Sequence, residues 1–215
     1  MINIETIKSK LTKTPEIMNK AYFYNSAVLI PIVRLKQEDF LLFEIRSQNI
    51  RQGGEVCFPG GRVDGDETNS ETALRETMEE LGVEREKINY LGALGTFVNV
   101  TGFSVDAYVG IIKIKSFEEL NINKDEVESV FLVPLEYFIN TPPEKYSMNV
   151  EISPFSIKDG NKIVTFPADK LNLPEKYSLK RSGISYPVYA YRTEYETIWG
   201  ITAFLIKYFI DKLKS

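Results

Sequence analysis

The stretch Phe58–Val83 constrains the fold of this chain most strongly, because it joins a glycine turn to a clearly delimited helix. Thr68, with Glu71 three residues later, forms the capping-box pattern that begins a helix, and Gly82 stands where a helix typically ends. Small and apolar residues recur at helical spacing between them, at Ala73, Leu74, Thr77, Met78 and Leu81. The sequence therefore predicts a helix between Thr68 and Gly82 with one face packed on a core.

The opposite face of this helix concentrates negative charge. Glu76, Glu79 and Glu80 lie at offsets i, i+3 and i+4, so their side chains are neighbours within an arc of about 100°. Arg75 can pair with Glu71 or Glu79, but one arginine does not neutralise this much charge. The spacing alone fits either a solvated acidic face or a site for a hard divalent cation, which prefers oxygen ligands.

The residues upstream extend the acidic pattern into a longer motif. From Gly61, five residues lead to Glu67, seven more to Arg75-Glu76, two more to Glu79-Glu80, and then come Gly82 and the apolar Val83. This spacing resembles the Nudix box, G-x5-E-x7-R-E-U-x-E-E-x-G-U, in which U is aliphatic. The chain departs from it at Thr77, which is β-branched and close to Val in size. On these residues the chain is identified as a member of the Nudix hydrolase superfamily.

The resemblance implies a fold, a cofactor and a set of site residues. The fold would be α/β (α+β), an α/β/α sandwich around a mixed β-sheet with a C-terminal helix docked on the core. Mg²⁺ or Mn²⁺ would be bound by box glutamates and one backbone carbonyl, namely Glu76, Glu79, Glu80 and Gly60. Glu67 and Arg75 would hold the loop against the helix and so support catalysis. The metal would neutralise a pyrophosphate and acidify a water, whose proton would pass to Glu79 or Glu126.

Composition limits the classes of function. The chain has 215 residues, 43% of them hydrophobic, which is enough for one sizeable core. We expect a single domain over residues 1–215, with an N-terminal helix at about 1–20, a core at about 21–140, and C-terminal strands and a helix at about 141–215. The net charge of −4 argues against nucleic-acid binding, and no apolar run reaches membrane-spanning length.

Two residue counts narrow the chemistry further. Histidine is absent, which excludes Ser-His-Asp and Cys-His mechanisms and any histidine general base. Cys57 is the only cysteine, so no intramolecular disulfide can form, and a cytoplasmic location is the expectation.

A second resemblance lies just upstream of the box. Coenzyme A pyrophosphatases of the Nudix superfamily carry a signature like L-L-T-x-R-[SA]-x3-R-x3-G-x3-F-P-G-G, which this chain follows at Leu42, Arg46, Ser47, Arg51, Gly54 and Phe58–Gly61. The chain departs from the signature at Phe43 and Glu44, where Leu and Thr are usual, and two residues instead of three separate Arg51 from Gly54. Arginine suits the phosphates of CoA because its guanidinium makes bidentate contacts.

The candidates for substrate binding come from this signature and one later turn. They are Arg46, Arg51, Gly54, Phe58 and Phe103. Phe103 follows Thr101-Gly102, a turn similar to one in CoA pyrophosphatases, and would either stack on a base or pack in the core. For Arg46 and Arg51 the ordinary alternative is solvated surface charge. The segment Ile198–Ala203 also resembles the W-G-[LI]-T-A element of that subfamily.

These resemblances imply metal-dependent hydrolysis of a pyrophosphate bond in a nucleoside diphosphate derivative. CoA or acyl-CoA is the favoured substrate, giving 3′,5′-adenosine bisphosphate (3′,5′-ADP) and 4′-phosphopantetheine. A Nudix pyrophosphatase for ADP-ribose or dinucleotide polyphosphates is the first alternative, because the spacing from Arg51 to Gly54 is short. A non-catalytic nucleotide-binding module is the second, although such modules usually lose box carboxylates that this chain retains. The expected partner is a small CoA-like nucleotide, and neither nucleic acid nor a membrane is expected to bind. Whether the chain forms a homodimer is left open by the sequence.

Hydrophobic periodicity predicts the remaining elements. Strands are expected at Ala27–Leu35, Phe40–Ile45, Ile88–Val98, Ser104–Ile114, Val127–Val133, Tyr146–Ile157, Lys162–Phe166 and Tyr186–Tyr191. The first two would form a hairpin, and so would Tyr146–Ile157 with Lys162–Phe166. Thr14-Pro15 would follow the N-terminal helix, Pro167–Ser185 would be a loop, and a last helix would span Glu196–Leu213.

Overall fold

The chain divides into two compact units, Met1–Asn140 and Thr141–Ser215. A computed structural model describes residues 3–11, 17–18 and 20–215. Helix α1 (Ile4–Lys10) is the helix expected near the N-terminus, whereas Thr14-Pro15, expected to follow it, lies outside the described residues. No helix within those residues is long and apolar enough to cross a bilayer. The organisation of residues 1–215 as one domain stays a prediction.

The first unit is built on one seven-stranded sheet. Its strands are β1 (Tyr24–Leu35), β2 (Glu38–Arg46), β3 (Val56–Cys57), β4 (Gly60–Arg62), β5 (Ile88–Asn99), β6 (Phe103–Ile112) and β7 (Val127–Pro134). The strand order is β3-β2-β1-β6-β5, with β4 also paired to β1 and β7 to β2. Because β1 and β6 run parallel while β1 and β2 run antiparallel, the sheet is mixed, as predicted.

The predicted hairpin of β1 and β2 turns over two residues, Lys36 and Gln37. Both have positive φ, at 49° and 72°, which is the geometry of a tight turn whose twist matches that of the strands. The resulting register pairs Glu44 of β2 with Cys57 of β3 on one side and with Val130 of β7 on the other. Three strands therefore meet around Glu44.

Helix α2 (Asn69–Leu81) has the boundaries that its capping residues predict. Thr68 caps the N-terminus in a reciprocal capping box with Glu71, and Gly82 ends the helix at φ 63°. Its buried face packs into the core cluster of the unit, which comprises Ala27, Leu29, Val33, Leu42, Ala73, Leu81, Val83, Ile88, Ile112 and Ile114. Thr77 is buried there too, and its hydroxyl donates to the Ala73 carbonyl at 2.6 Å. The departure from the box at Thr77 therefore leaves no unpaired polar group.

The second unit holds a three-stranded sheet, a hairpin and the C-terminal helix. After α3 (Leu135–Asn140), which ends the first unit, its elements are β8 (Glu144–Ile152), β9 (Phe155–Lys158), β10 (Asn161–Val164), β11 (Arg181–Arg192), β12 (Thr197–Trp199) and α4 (Gly200–Lys214). β11 lies between β8 and β12, and β9 pairs with β10. Helix α4 packs on β11, where the rings of Tyr189 and Phe204 lie 6.0 Å apart.

The strand predicted at Tyr146–Ile157 is wrong as a single element. Ser153-Pro154 divides it into β8 and β9, because proline lacks the N–H that a strand ladder requires. The hairpin over Asp159-Gly160 is present, but it joins β9 and β10, while β8 pairs with β11.

Two boundaries nearer the C-terminus also differ from the prediction. The loop predicted at Pro167–Ser185 stops at Lys180, since β11 begins at Arg181. The helix predicted from Glu196 begins at Gly200, because the three residues before it form β12. Gly200 has a φ of 67°, which lets the chain turn from strand into helix.

Candidate functional site

The glycine turn before α2 is tied to both the sheet and the helix. In β4, Gly60 pairs with Val28 of β1, and a Cβ at Gly60 would lie 2.3 Å from the Ala27 carbonyl oxygen. The φ of Gly60 is 152°, so both the space and the backbone conformation require glycine. The Gly60 N–H donates to Glu80 Oε2 at 2.8 Å. This bond fixes the last turn of α2 against the edge of β4.

Three carboxylates meet beside this turn. One oxygen each of Glu76, Glu80 and Glu126 lies within 4.8 Å of the others. Glu76 and Glu80 come from α2, whereas Glu126 lies in the turn that immediately precedes β7 and supplies the third group. Gly61 is equally close, because a Cβ there would lie 2.3 Å from Cδ of Glu76. We call Glu76, Glu80 and Glu126 the carboxylate cluster.

Burial makes the charge of this cluster costly. Glu80 is 3% exposed. Burial raises its pKa to about 8, against the opposing effect of the Gly60 N–H, and the nearby Glu76 adds to the rise. Burial also raises the pKa of Glu76, while Arg75 lowers it. Carboxylates that resist ionisation without a cation are suited to binding one, because the cation supplies the missing positive charge.

A fourth carboxylate, Glu44 of β2, was missed as a site residue by the sequence reasoning. It is 1% exposed, and its Oε1 has no hydrogen-bond partner. Its pKa is raised well above the ordinary range by burial first and by the charge of Glu80 second. The available signal was an acidic residue inside an otherwise apolar strand, at a position where the CoA pyrophosphatase signature has Thr.

Arg75 organises the acidic residues around α2. Its Nε donates to Glu67 Oε1 at 3.0 Å, and its two terminal nitrogens lie 2.9 Å from Glu76 Oε1 and from Glu79 Oε2. Glu67 is held in addition by the Thr72 hydroxyl at 3.0 Å. The contact expected between Glu67 and Arg75, joining loop and helix, is thus present.

Glu79 takes a different position from the one expected for a metal ligand. Its side chain is 53% exposed and pairs with Arg75. The group of carboxylate oxygens within 4.8 Å of one another contains Glu126 instead of Glu79. The structure therefore brings together Glu76, Glu80 and Glu126, and leaves Glu79 at the edge of the cluster.

The donor set fits a hard divalent cation. Carboxylate oxygens are the ligands that Mg²⁺ and Mn²⁺ prefer, and three of them converge beside a backbone turn. The unpartnered Oε1 of Glu44 adds a buried acceptor next to them.

Arg46 connects the carboxylates to the β2–β3 loop. Its charge acts on both Glu44 and Glu80. Its Nη1 lies 4.0 Å from Cys57 Sγ, and its Nε donates to the Arg51 carbonyl at 3.2 Å. Burial and the Glu44 charge raise the pKa of Cys57, so its thiol stays protonated at neutral pH.

Gly54 contributes to the same loop through its backbone. It has a φ of 77°, and its N–H donates to the Arg46 carbonyl at 2.9 Å. A side chain is disfavoured at this φ, and its Cβ would lie 2.9 Å from Gln48 Nε2. In the structure Gly54 therefore shapes the loop that carries Arg51.

Arg51 belongs to a surface cluster of two arginines and two aromatic rings, of which the Phe103 ring is half-buried. Its guanidinium carbon lies 5.9 Å from the Tyr24 ring centroid and 5.6 Å from that of Phe103. Arg62 lies 5.6 Å from the Tyr24 ring, and the two rings are 5.6 Å apart. We call these four residues the arginine–aromatic cluster. Tyr24 and Arg62 were not among the predicted site residues.

Phe58 lies in the core. It is 2% exposed, and its ring stacks on Phe43 with centroids 5.0 Å apart. Phe43 also stacks on Phe131 at 5.4 Å. A contact between Phe58 and a substrate would require this stack to open, and its expected role in binding stays a prediction.

Comparisons with known proteins agree on one family. The family described as NUDIX domain matches residues 23–151, which is more than half of the chain. Nudix hydrolase 3 of Caenorhabditis elegans is 45% identical over 120 residues, covering 54% of this chain and 50% of that protein. The peroxisomal coenzyme A diphosphatase of Mus musculus is 33% identical over 147 residues, covering 66% of this chain and 61% of that protein.

A bacterial relative is covered over more of its length. The Nudix hydrolase NudL of Yersinia enterocolitica is 30% identical over 186 residues, covering 86% of this chain and 78% of that protein. By contrast, the chain spans only about half the length of the C. elegans relative and about three-fifths of the length of the mouse relative. Among solved structures, a C. elegans Ap4A hydrolase complex is similar with a TM-score of 0.45 and 20% identity, covering 52% of this chain and 80% of that chain.

Proposed function

The chain belongs to the Nudix hydrolase family, and from this premise we propose that it hydrolyses the pyrophosphate bond of a nucleoside diphosphate derivative, most specifically CoA or acyl-CoA. The products from CoA would be 3′,5′-ADP and 4′-phosphopantetheine. The observation that carries the proposal is the carboxylate cluster beside the Gly60-Gly61 turn.

The chain's own residues would divide the chemistry as follows. Glu76 and Glu80 would hold a divalent cation, Mg²⁺ or Mn²⁺, and the Gly60 carbonyl would add a neutral oxygen ligand. When bound, that cation neutralises charge on the pyrophosphate and makes a nearby water more acidic. Glu67 and Arg75 fix the loop and the helix relative to each other, which keeps Glu76 in place.

Glu126 is the better candidate for the proton acceptor. Its oxygen lies within 4.8 Å of those of Glu76 and Glu80, whereas Glu79 pairs with Arg75. The oxygen of water would attack one phosphorus in line, its proton would pass to the Glu126 carboxylate, and the other phosphate would leave. Glu79 would then contribute charge from the rim of the site.

The arginine–aromatic cluster supports a substrate with an adenine ring and an extra phosphate. Arg62 is two residues from Gly60 in β4, so the cluster begins about 7 Å along the strand from the glycine turn. The rings of Tyr24 and Phe103 can stack on a base, and the guanidinium of Arg51 can make bidentate hydrogen bonds to a phosphate. Among the described residues no carboxylate lies within ion-pair distance of Arg51.

The relatives support CoA without excluding other nucleotides. The mouse relative is named a coenzyme A diphosphatase, and the signature around Arg46 and Arg51 resembles that subfamily. One feature favours a second candidate, ADP-ribose or a dinucleotide polyphosphate: the residue missing between Arg51 and Gly54. Either substrate would use the same carboxylate cluster.

The substrate assignment is tested by comparing kcat/KM for CoA, dephospho-CoA, ADP-ribose and diadenosine tetraphosphate. Dephospho-CoA lacks only the 3′-phosphate. We expect CoA to be preferred over it by about 10-fold or more, the usual contribution of a hydrogen bond to a charged group. In Arg51→Gln this preference should shrink towards one.

Arg34→Gln is the matched control for that experiment. Arg34 is an exposed arginine on the β1–β2 hairpin that pairs with Asp39. It should leave the preference for CoA unchanged. Hydrolysis of ADP-ribose with CoA untouched would overturn the CoA assignment while leaving the pyrophosphatase chemistry intact.

A further inference from the structure

We propose that Glu44 is a metal-binding residue of this protein, a buried fourth carboxylate that holds the divalent cation together with Glu80. The inference deepens the proposed function and rests on it, because it concerns the same cation site. Glu44 lies outside the Nudix box, on strand β2.

Strand geometry directs Glu44 towards α2. Side chains alternate along a strand, so Leu42, Glu44 and Arg46 lie on one face of β2. Leu42 packs in the core cluster with Ala73 and Leu81 of α2. Glu44 therefore faces the same helix one step further along, where Glu80 stands. The charge of Glu80 acts on Glu44 accordingly, and so does that of Glu126.

The neighbours of Glu44 do not satisfy it. Its Oε1 has no hydrogen-bond partner. The other contacts of its carboxylate are the Cys57 thiol, a weak donor 4.0 Å from Oε2, and the carboxylate of Glu80, which supplies no positive charge. A carboxylate that is 1% exposed normally has strong donors or a cation, because burial without them is costly. The unpartnered Oε1 therefore needs a donor or a cation to offset the cost of its burial.

Arg46 does not supply the missing partner of Glu44 Oε1, because its nitrogens contact other groups. It is the positive charge acting on Glu44, but its Nε donates to the Arg51 carbonyl and its Nη1 contacts Cys57 Sγ. It also faces Glu80, so one guanidinium stands against several carboxylates. A divalent cation placed among these oxygens would supply two further charges and the missing partner for Oε1.

The test is a titration of wild-type protein and of Glu44→Gln with Mn²⁺, in which the concentration of free Mn²⁺ is measured by electron paramagnetic resonance. Glutamine keeps the shape of the side chain and removes its charge. We expect the Mn²⁺ dissociation constant to rise about 10- to 100-fold, the range typical for losing a supporting group at a metal site. Glu128→Gln, an exposed carboxylate of β7 that contacts Gln48, is the matched control and should bind Mn²⁺ as wild type does.

Urea unfolding of each protein in EDTA and in saturating Mn²⁺ separates binding from a purely structural role. If Glu44 binds the cation, Glu44→Gln should be at least as stable as wild type in EDTA, and Mn²⁺ should shift its midpoint less. A structural carboxylate would instead make the metal-free variant less stable and leave the Mn²⁺ shift unchanged, which overturns the proposal. Should Glu44→Gln not fold, Glu44→Asp, which keeps the charge with a shorter reach, is measured in its place and should still bind Mn²⁺ more weakly.

The outcomes also separate this inference from the proposed function. Mn²⁺ binding that is lost in Glu80→Gln but unchanged in Glu44→Gln would refute the role of Glu44 alone. A wild-type protein that binds no Mn²⁺ would refute both.

Discussion

Glu80 should make the metal-free protein less stable as the pH rises. Its side chain is 3% exposed, and its pKa is raised from 4.5 to about 8. Between these values the folded protein retains a proton that the unfolded chain has released. The free energy of unfolding must therefore fall as the pH rises from about 4.5 to about 8, because the folded state binds more protons there.

The size of this effect follows from the shift. One bound proton corresponds to a tenfold change in the folding equilibrium per pH unit, so stability should fall by roughly 3 kcal/mol between pH 5.5 and pH 7.5. Glu44, whose pKa is also raised, adds to the slope in the same direction. Glu80→Gln removes one titrating group and also removes the second-largest influence on Glu44, so its slope should be much flatter.

The assay is urea unfolding in EDTA at several values of pH from 5.5 to 7.5, followed by far-ultraviolet circular dichroism. Glu79→Gln is the matched control, since Glu79 is half-exposed and paired with Arg75, and its slope should equal that of wild type. If wild type becomes more stable as the pH rises over this range, or if Glu80→Gln keeps the wild-type slope, the reasoning about the buried carboxylates is refuted.

Three further predictions concern the same site. Gly61→Ala places a Cβ 2.3 Å from Cδ of Glu76, so Mn²⁺ affinity should fall about 10-fold or more by calorimetry. Gly65→Ala strains a backbone at φ 62° but places its Cβ more than 4 Å from any other atom, so it should lower stability and keep the wild-type Mn²⁺ affinity. Arg75→Gln removes three ion pairs and should lower kcat about 10- to 100-fold. Arg75→Lys should have an intermediate kcat, because lysine keeps the positive charge but lacks the planar guanidinium that contacts several carboxylates at once. Equal losses of kcat in both variants would contradict this prediction. The stabilisation of the wild-type protein by saturating Mn²⁺ should grow from pH 6 to pH 8, since the cation displaces the proton that Glu80 retains; a shift in melting temperature that is independent of pH would argue against it.

Local sequence signals were sufficient for much of the first unit. The boundaries of α2 follow from Thr68, Glu71 and Gly82, whose capping roles depend on residues only a few positions apart. The hairpin of β1 and β2 follows from two apolar runs and a short polar turn. The convergence of Glu76 and Glu80 needs only the helical repeat, because both lie on one face of α2.

The parts that sequence missed depend on contacts between distant segments. Glu44 joins the site only because β2 pairs in one particular register with β1, on which α2 packs, and the spacing of an isolated strand does not contain that information. Glu126 joins the carboxylate cluster from the loop before β7, far along the chain from Glu76 and Glu80 of α2. β8 was assigned to the wrong partner because its pairing with β11 bridges a long connection, whereas periodicity favours the nearer segment.

The most direct test of the account is mass spectrometry of the products formed from CoA, ADP-ribose and diadenosine polyphosphate with Mg²⁺ and with Mn²⁺, by wild-type protein and by Glu80→Gln. The account predicts masses for 3′,5′-ADP and 4′-phosphopantetheine with wild type and their loss in the variant. Formation of these products at the wild-type rate by Glu80→Gln, or no turnover of any of these compounds by wild type, would contradict it.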